Sequence, residues 1–440
     1  MNSGEKRLRL LVLATQPPWP LDHGNRLRLH HLLQRLAGRM EVTLATPHVP
    51  EQGTRLVDRV SLSVIGESGP GASGRAPTWS AGLARRYFGH NARIDEWLRL
   101  RATPRRFDVA LCSGPVLGQH LAAFRVPVVW DLVDDLVLYS VRDLPRRPWP
   151  QRLSRLYAAA VQAVFERDAA RHAAATVVAS SIDASYARRW IGDRPIEVIS
   201  NGVDLEYFKP DGDPPPSKRV VFVGSLDFPP NADGITHFAR AVWPQLRAED
   251  TQRTLQIVGR RPPDAVCEAA QAPGVELYAD VPDVRPFLRD AQVVVSPTRS
   301  GGGVKNKVLE ACAMCRPVVA TPRALGGLSA VVGRDVLAAS GAKQWREQVA
   351  RLLRDPRLAG RIARRGRRWV SRAHRWETMA DELYALLCRV ARRDGTSEPV
   401  NTATHDRKSG AANAQSAEMP RRIAPRAVKA SVEPVPAGAE

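Results

Sequence analysis

Short apolar runs rich in β-branched residues alternate along the chain with longer stretches whose apolar positions recur at helical spacing. The runs at residues 8–14, 41–46, 60–65, 107–112, 126–130, 176–179 and 196–199 predict strands, and those at 220–223, 255–258, 275–277, 293–295 and 318–320 predict a second set. Predicted helices lie between them. One starts at Arg26, with Leu27, Leu29, Leu32, Leu33 and Leu36 on one side. Another spans residues 80–100, where Trp79, Tyr87, Phe88 and Trp97 supply core bulk; others surround residues 116–124, run to about His172, or begin at Pro230 and Asn231. Helices around residues 345–353, 357–370 and 376–392 close the pattern. Such alternation builds parallel sheets covered on both faces, and 440 residues are too many for one ordinary domain. The expected fold is α/β with two doubly wound domains, residues 1–209 and 219–374, joined by a linker at 210–218 that Pro214, Pro215 and Pro216 stiffen. Residues 66–78 are rich in Gly, Ser and Pro and predict a mobile loop; from Asp394 the chain is Ala/Pro/Ser-rich without periodicity and predicts disorder.

Residues 293–321, VVVSPTRSGGGVKNKVLEACAMCRPVVAT, carry the densest chemistry. An apolar run gives way to a polar turn, Lys305 opens a helical stretch that ends before Pro317, and a second apolar run follows, which is a βαβ unit. Gly301, Gly302 and Gly303 let backbone approach a ligand without Cβ obstruction, and the helix start beyond them offers unpaired N–H groups to an anion. With Arg299, Lys305 and Lys307 around that turn, a phosphate is the expected occupant. Glu310, in the second helical turn, suits a bidentate hydrogen bond to a ribose diol. The same residues also fit a plain surface turn with a Lys307/Glu310 helix pair. A second polar concentration, Asp131, Asp134 and Asp135, follows the strand at 126–130, at the edge where ligands of open α/β sheets sit. One of several clustered carboxylates can have its pKa raised toward neutrality, as a general base requires. N-capping of a helix by Asp131 or Asp134 fits equally, and a divalent ion, with no D-x-D motif present, fits less well.

The run Pro297, Arg299, Gly301, Gly303 and residues 305–311, with 317–321, resembles the donor-nucleotide motif of retaining glycosyltransferases of the GT-B fold, the glycosyltransferase-4-like group. The likeness covers about residues 8–392 and is strongest from 201 to 321. It implies two Rossmann-like domains facing across a cleft, with the helix at residues 375–393 crossing back onto the first. It also implies transfer of a sugar, with retention, from a nucleotide diphosphate sugar carrying uridine or another base to a hydroxyl, as a hexosyltransferase does. Asn201, Gly202, Val203 and Asp204 match the N-G-V-D turn that these enzymes share. Gly24 stands where the family's first loop approaches the donor diphosphate, with His23 beside it and Arg26 and Arg28 able to add charge. Gly224 opens the corresponding turn of the second half, but the family's arginine and lysine give way to Ser225 and Asn231, so that Arg260, Arg299, Lys305 or Lys307 would supply the charge. Asp280 and Val281 stand where relatives hold the base by backbone contacts.

The aspartates stand where many relatives carry a histidine near the reacting sugar, so Asp134 and Asp131 are the implied residues for acceptor activation or sugar contact. Many members carry two glutamates eight positions apart; here the second is Glu310 and the first position holds Gly302, a departure that bears on sugar handling more than on nucleotide binding. The lysine-rich loop resembles a branch associated with bacterial exopolysaccharide and exosortase clusters, which implies a glycan or lipid-linked acceptor. In such enzymes the departing diphosphate can take the acceptor proton. Arg299, Lys305, Lys307 and the N–H groups of the glycine turn would then neutralise the leaving group, with neither metal nor cofactor required. Two other activities stay open on the same residues: a nucleotide-sugar-binding protein without transferase activity, and a hydrolysing sugar-nucleotide epimerase.

Charge narrows the partners. The formal charge is +20, and from Asp394 onward six basic and six acidic side chains cancel, so the excess lies on the folded part. Such a surface favours sugar nucleotides or an acidic membrane face, and with no nucleic-acid-binding signature in the chain, nucleic acid is not expected. Arg142, Arg146, Arg147, Arg152 and Arg155 gather around Trp149, either as an interfacial segment for anionic lipid or as a solvated face with an ordinary core tryptophan. Five scattered cysteines imply a reduced compartment, and Cys312 and Cys315, a single C-x-x-C inside an apolar helix, read as core. The basic opening followed by residues 10–15 mimics a signal peptide but runs into Gln16, Pro17 and Pro18, as a first strand does. No stretch reaches the roughly 18–20 apolar residues that span a bilayer. The expected location is cytoplasmic, with at most peripheral contact at the inner face of the plasma membrane.

Overall fold

In the computed structural model, residues 7–21, 24–48, 58–65, 82, 87–146, 148–212 and 217–394 are described. The expectations for His23, the loop at 66–78, Trp79, Arg147, Pro214 to Pro216 and the tail from 395 lie outside them. The first sheet comprises β1 (Arg9–Ala14), β2 (Glu41–Thr46), β3 (Val60–Val64), β4 (Val109–Ser113), β5 (Val128–Val133), β6 (Ala175–Val178) and β7 (Ile196–Val198), in the order β3-β2-β1-β4-β5-β6-β7. The second comprises β8 (Arg219–Val223), β9 (Thr254–Gly259), β10 (Val275–Ala279), β11 (Val293–Ser296), β12 (Val318–Ala320) and β13 (Leu337–Ala338), in the order β10-β9-β8-β11-β12-β13. All pairings within both sheets are parallel. The order reverses between β1 and β4 in one sheet and between β8 and β11 in the other, so the loops after these four strands line the two crevices where open sheets bind ligands.

The strand runs are apolar on both faces because both faces are covered. Leu10 and Val12 of β1 point into one cluster and Leu11 and Leu13 into the other, as a two-residue period requires. The helix Gly24–Leu36 covers the first of these faces through Leu29, Leu32 and Leu33. The last helix, Trp376–Asp394, belongs to the same cluster through Met379, Leu383, Leu386, Leu387 and Val390. At about 1.5–3 kcal/mol for each large apolar side chain removed from water, that contact fixes the helix to the first sheet. It is joined there at the N-G-V-D turn. Val203 N donates to His374 O at 2.8 Å, and His374 Nδ1 donates to Asn201 O at 3.0 Å. A Cβ on Gly202 would lie 2.6 Å from Trp376 N, so only glycine permits this approach. Trp376 in turn stacks on His31 with ring centroids 4.9 Å apart.

Several expectations are corrected. The helix expected at 80–100 is interrupted: residues 82, 87 and 88 are helical, Gly89 follows at φ 75°, and a separate helix, Ala92–Arg101, is capped by Asn91, which accepts from Arg93 N. The helix expected around residues 116–124 is present as the 3-10 helix Val116–Ala123. Neither Asp131 nor Asp134 caps a helix; Asp135 does, accepting from Leu138 N at 2.6 Å at the start of Leu136–Asp143, a helix not anticipated. The helix Ser181–Ile191 and β13 were also unread. Cys315 lies beyond the end of the helix Asn306–Ala313 with φ 54°, so the C-x-x-C is not within one helix. Trp149 is no core residue. It is 69% exposed, and with Leu153, Leu156 and Tyr157, each at least 50% exposed, it forms a stripe on the helix Trp149–Arg171 opposite the face that buries Ala158, Gln162 and Phe165. Among the described residues no helix is long and apolar enough to cross a membrane.

Candidate functional site

The glycine turn runs from the end of β11 to the helix Asn306–Ala313, and its course depends on two left-handed residues. Gly301 adopts φ 86° and Gly303 φ 70°, conformations that cost little only without a Cβ, whereas Gly302 has no such requirement. The base of the turn is fixed by Thr321, whose Oγ1 donates to Thr298 O at 2.6 Å, and by Gly234, where a Cβ would lie 2.5 Å from Pro297 O. Lys305 is the cap residue of the helix but supplies no side-chain cap, so the first helical N–H groups remain for an anion. Its ammonium folds back to donate to Gly302 O.

Lys307 reaches the turn after β8. Its Nζ donates to Asn231 Oδ1 at 2.5 Å, lies 4.4 Å from the centroid of Phe222, and fills the space a Cβ on Gly224 would take, 2.7 Å away. Asn231 Nδ2 donates to Ser225 O at 2.8 Å. A lysine from the helix after β11 therefore brings charge to the corner where Ser225 and Asn231 stand. Burial, with a smaller contribution from Lys305, lowers the Lys307 pKa to about 7, and burial raises the half-buried Glu310 to about 7 against the pull of Lys307. Lys305 is lowered by burial as well, opposed by Asp134 and Asp183. An anion in the turn would reverse these shifts on both lysines.

The first domain supplies the facing wall. β5 ends with Val133 at φ 67°, a strained setting for a β-branched residue, where the pairing with β6 shifts register. That bend aims Asp134 at the glycine turn: a Cβ on Gly303 would lie 2.6 Å from the Asp134 carboxyl carbon. Burial, then Asp183, raises Asp134 to about 6, with Lys305 and Arg28 opposing. Asp183, itself raised by burial, is 3.8 Å from the Cβ position of Gly302, and Arg142 Nη1 donates to Gly301 O at 3.5 Å. Asn201 Nδ2 donates to Asn306 Oδ1 at 3.0 Å, and the Cβ position of Gly24 is 3.9 Å from Asn306 Nδ2. The turn at Gly326 and Gly327 packs on Ile182 and Ser180 of the first domain. Glycine turn, both lysines, Gly24, Gly224 and Asp134 thus meet at one junction.

Other candidates take different places. Asp131 is buried, and both its oxygens are held at 3.0 Å by Arg28, whose Nη1 also donates to Ser200 O and Asn201 Oδ1 at 3.0 Å each. A carboxylate so bound positions Arg28 and, through it, Asn201. Asp135 caps its helix and accepts from Trp190 Nε1 at 3.3 Å, so the three aspartates turn to three different partners and do not form a metal site. Arg299 faces outward, 3.8 Å from Asp233 and beside His237 on the helix Pro229–Ala241. Arg260 and Asp280 end adjacent strands, where Asp280 adopts φ 52° and accepts from Arg261 N at 3.1 Å; the partly buried Val281 packs on the cluster beneath β8 and β9. The backbone of Gly259 comes against Gly224 O, closing that edge. Arg142 and Asp183 were missed. Asp183 had a sequence signal, the S-x-x-D pattern from Ser180, whose Oγ accepts from Asp183 N at 3.1 Å, but that pattern announces a helix start and not a site.

Residues 26–207 match the model of Glycosyltransferase Family 4, and residues 217–355 match that of Glycosyl transferases group 1. No curated protein matches the chain in sequence. Among solved structures, a sucrose-phosphate synthase from Thermosynechococcus elongatus is similar with TM-score 0.66 at 17% identity, over 88% of this chain and 100% of that one. Anabaena Alr3699/HepE, solved in complex with UDP and glucose, gives TM-score 0.63 at 16% identity, over 87% and 100%. WaaG, a glycosyltransferase involved in lipopolysaccharide biosynthesis, gives 0.59 at 14%, over 86% and 99%. At such identities the likeness is one of fold, two Rossmann-like domains of GT-B type with a helical C-terminal region.

Proposed function

Taking as premise that this chain belongs to the GT-B glycosyltransferases, we propose that it moves a sugar with retention from a nucleotide diphosphate sugar to a hydroxyl of a glycan or lipid-linked acceptor. The observation that carries this reading is the meeting of Lys305, Lys307 and the glycine turn with Asp134 of the opposite domain. The lysines and the open N–H groups take the diphosphate, and Glu310 takes the ribose diol. In the transfer step the acceptor oxygen bonds to the anomeric carbon while the bond from that carbon to the diphosphate oxygen breaks on the same face. The acceptor proton passes to the departing oxygen. Lys305 and Lys307 stabilise the charge that develops there, and Asp134 orients the acceptor or sugar hydroxyls; losing one such cation costs on the order of 100-fold in rate. Arg299, turned to Asp233, has a lesser part. The acceptor class that the resemblance of the lysine-rich loop suggests is a growing bacterial exopolysaccharide or related glycan. Incubation with labelled sugar nucleotides tests the reading. Acceptor-dependent transfer supports it, whereas binding without turnover, or hydrolysed or isomerised product without acceptor, contradicts it.

The exposed stripe favours work at an anionic membrane surface. Trp149, Leu153, Leu156 and Tyr157 lie on one face of their helix, and the same face continues into Arg167 and Arg171, which line a groove with Arg189 and Arg194. Apolar side chains beside arginines suit the boundary of acyl chains and phosphate headgroups. Co-sedimentation with phosphatidylglycerol vesicles, lost in Trp149→Ser with Leu153→Ser and absent with phosphatidylcholine, is the expected result; equal sedimentation of the double variant would overturn it.

A further inference from the structure

Outside the Lys305 junction, two imidazoles and a carboxylate converge in the first domain. Asn91 caps the helix Ala92–Arg101, which sets His90 just before its first turn and Asp95 within it; His120 comes from the 3-10 helix Val116–Ala123. Asp95 Oδ1 is 2.6 Å from His120 Nδ1, and Asp95 Oδ2 is 3.2 Å from His90 Nε2. The rings stack, with centroids 5.1 Å apart and planes 26° from parallel. One ligand atom from each residue lies within 4.8 Å of the others. Asp95 and His120 are buried, while the His90 side chain keeps 12% of its surface open and offers a way in. His90 Nδ1 is 3.3 Å from Gln119 Oε1, a contact that holds the ring with Nε2 toward the carboxylate.

We propose that His90 Nε2, Asp95 and His120 Nδ1 bind one divalent transition-metal ion, zinc by the character of the donors, which ties the entry of the helix Ala92–Arg101 to the 3-10 helix. Two imidazoles and a carboxylate suit zinc at about 2.0–2.2 Å, with water in the fourth tetrahedral position. That geometry places ligand atoms roughly 3.3 Å apart, so atoms now within 4.8 Å of one another close by at most about 1.5 Å, within reach of side-chain rotation. The ion displaces the proton from His120 Nδ1, so binding weakens in acid. Gln119 acts as a positioning residue, through His90.

The test uses the full chain, stripped with chelator and titrated with Co²⁺ under visible spectroscopy. One equivalent should bind with a d–d absorption that zinc abolishes, and zinc should raise the melting temperature of the stripped protein. His90→Ala, at the accessible side, should melt like the metal-free wild type and bind Co²⁺ at least tenfold more weakly, and His120→Ala should lose the same absorption. Failure of the wild type to take up one equivalent, or undiminished uptake by His90→Ala, would overturn the site.

Discussion

Asn201 Nδ2 donates to Asn306 Oδ1 at 3.0 Å, joining the N-G-V-D turn to the first residue of the helix behind the glycine turn. Asn201 Oδ1 accepts from Arg28, and Arg28 grips Asp131, so a polar chain leads from the core of the first sheet to the residue between Lys305 and Lys307. The lysines are thereby placed with respect to the first domain.

Breaking the innermost link should be costly. Asp131→Ala leaves the Arg28 guanidinium buried without its partner and should destabilise the fold by about 3–5 kcal/mol, read from denaturant unfolding. The double change Arg28→Met with Asp131→Leu removes both charges and should recover much of that loss while freeing Asn201. A stable double variant with reduced transfer supports the positioning role; full activity contradicts it.

The two neighbouring glycines should differ. Gly303→Ala forces a side chain into a left-handed residue and against the Asp134 carboxylate, so a loss of at least about 1 kcal/mol and of most turnover is expected. At Gly302 the nearest atom to a new Cβ is Asp183 Oδ1 at 3.8 Å, an ordinary contact, and Gly302→Ala should melt within a few degrees of the wild type.

Lys307 makes donor binding depend on pH. Its pKa in the free protein is about 7 because of burial, so above that pH it is mostly neutral; a bound diphosphate favours the charged form and draws in a proton. Calorimetry at pH 8 in buffers of different ionisation enthalpy should show proton uptake on binding a nucleoside diphosphate, with affinity falling as pH rises toward 9. Lys307→Arg, charged throughout, should show both effects reduced to the part that Lys305 contributes.

Asp135 is expected to limit stability in base rather than in acid. Burial raises its folded pKa to about 6 from 3.8, so its relative stabilisation is complete below about pH 3.8 and lost as pH rises through 6. Asn can cap the same helix without that ionisation. Asp135→Asn should therefore gain stability relative to the wild type between pH 5 and pH 8, by at most about 3 kcal/mol, as thermal melts at the two pH values would show.

What the sequence revealed follows from how local each feature is. Gly301, Gly303, Lys305, Lys307 and Glu310 were legible because one turn and one short helix carry them all, and the strands because both sheet faces are covered. Arg142 was not, since it meets Gly301 from 159 residues away and reads in sequence as one more surface arginine. Asp131 and Asp134 look alike in sequence; the left-handed Val133 between them turns one toward Arg28 and the other toward Gly303. Trp149 shows the reverse difficulty, for apolar spacing reports a helix face without telling whether protein or something else covers it.

The most direct measurement is titration calorimetry of nucleoside diphosphates into the wild type and Lys305→Ala, with melting curves for both. The account predicts saturable binding by the wild type, at least tenfold weaker in Lys305→Ala at unchanged melting temperature. Absence of binding by the wild type to any nucleoside diphosphate, or equal affinity in the two proteins, would contradict it.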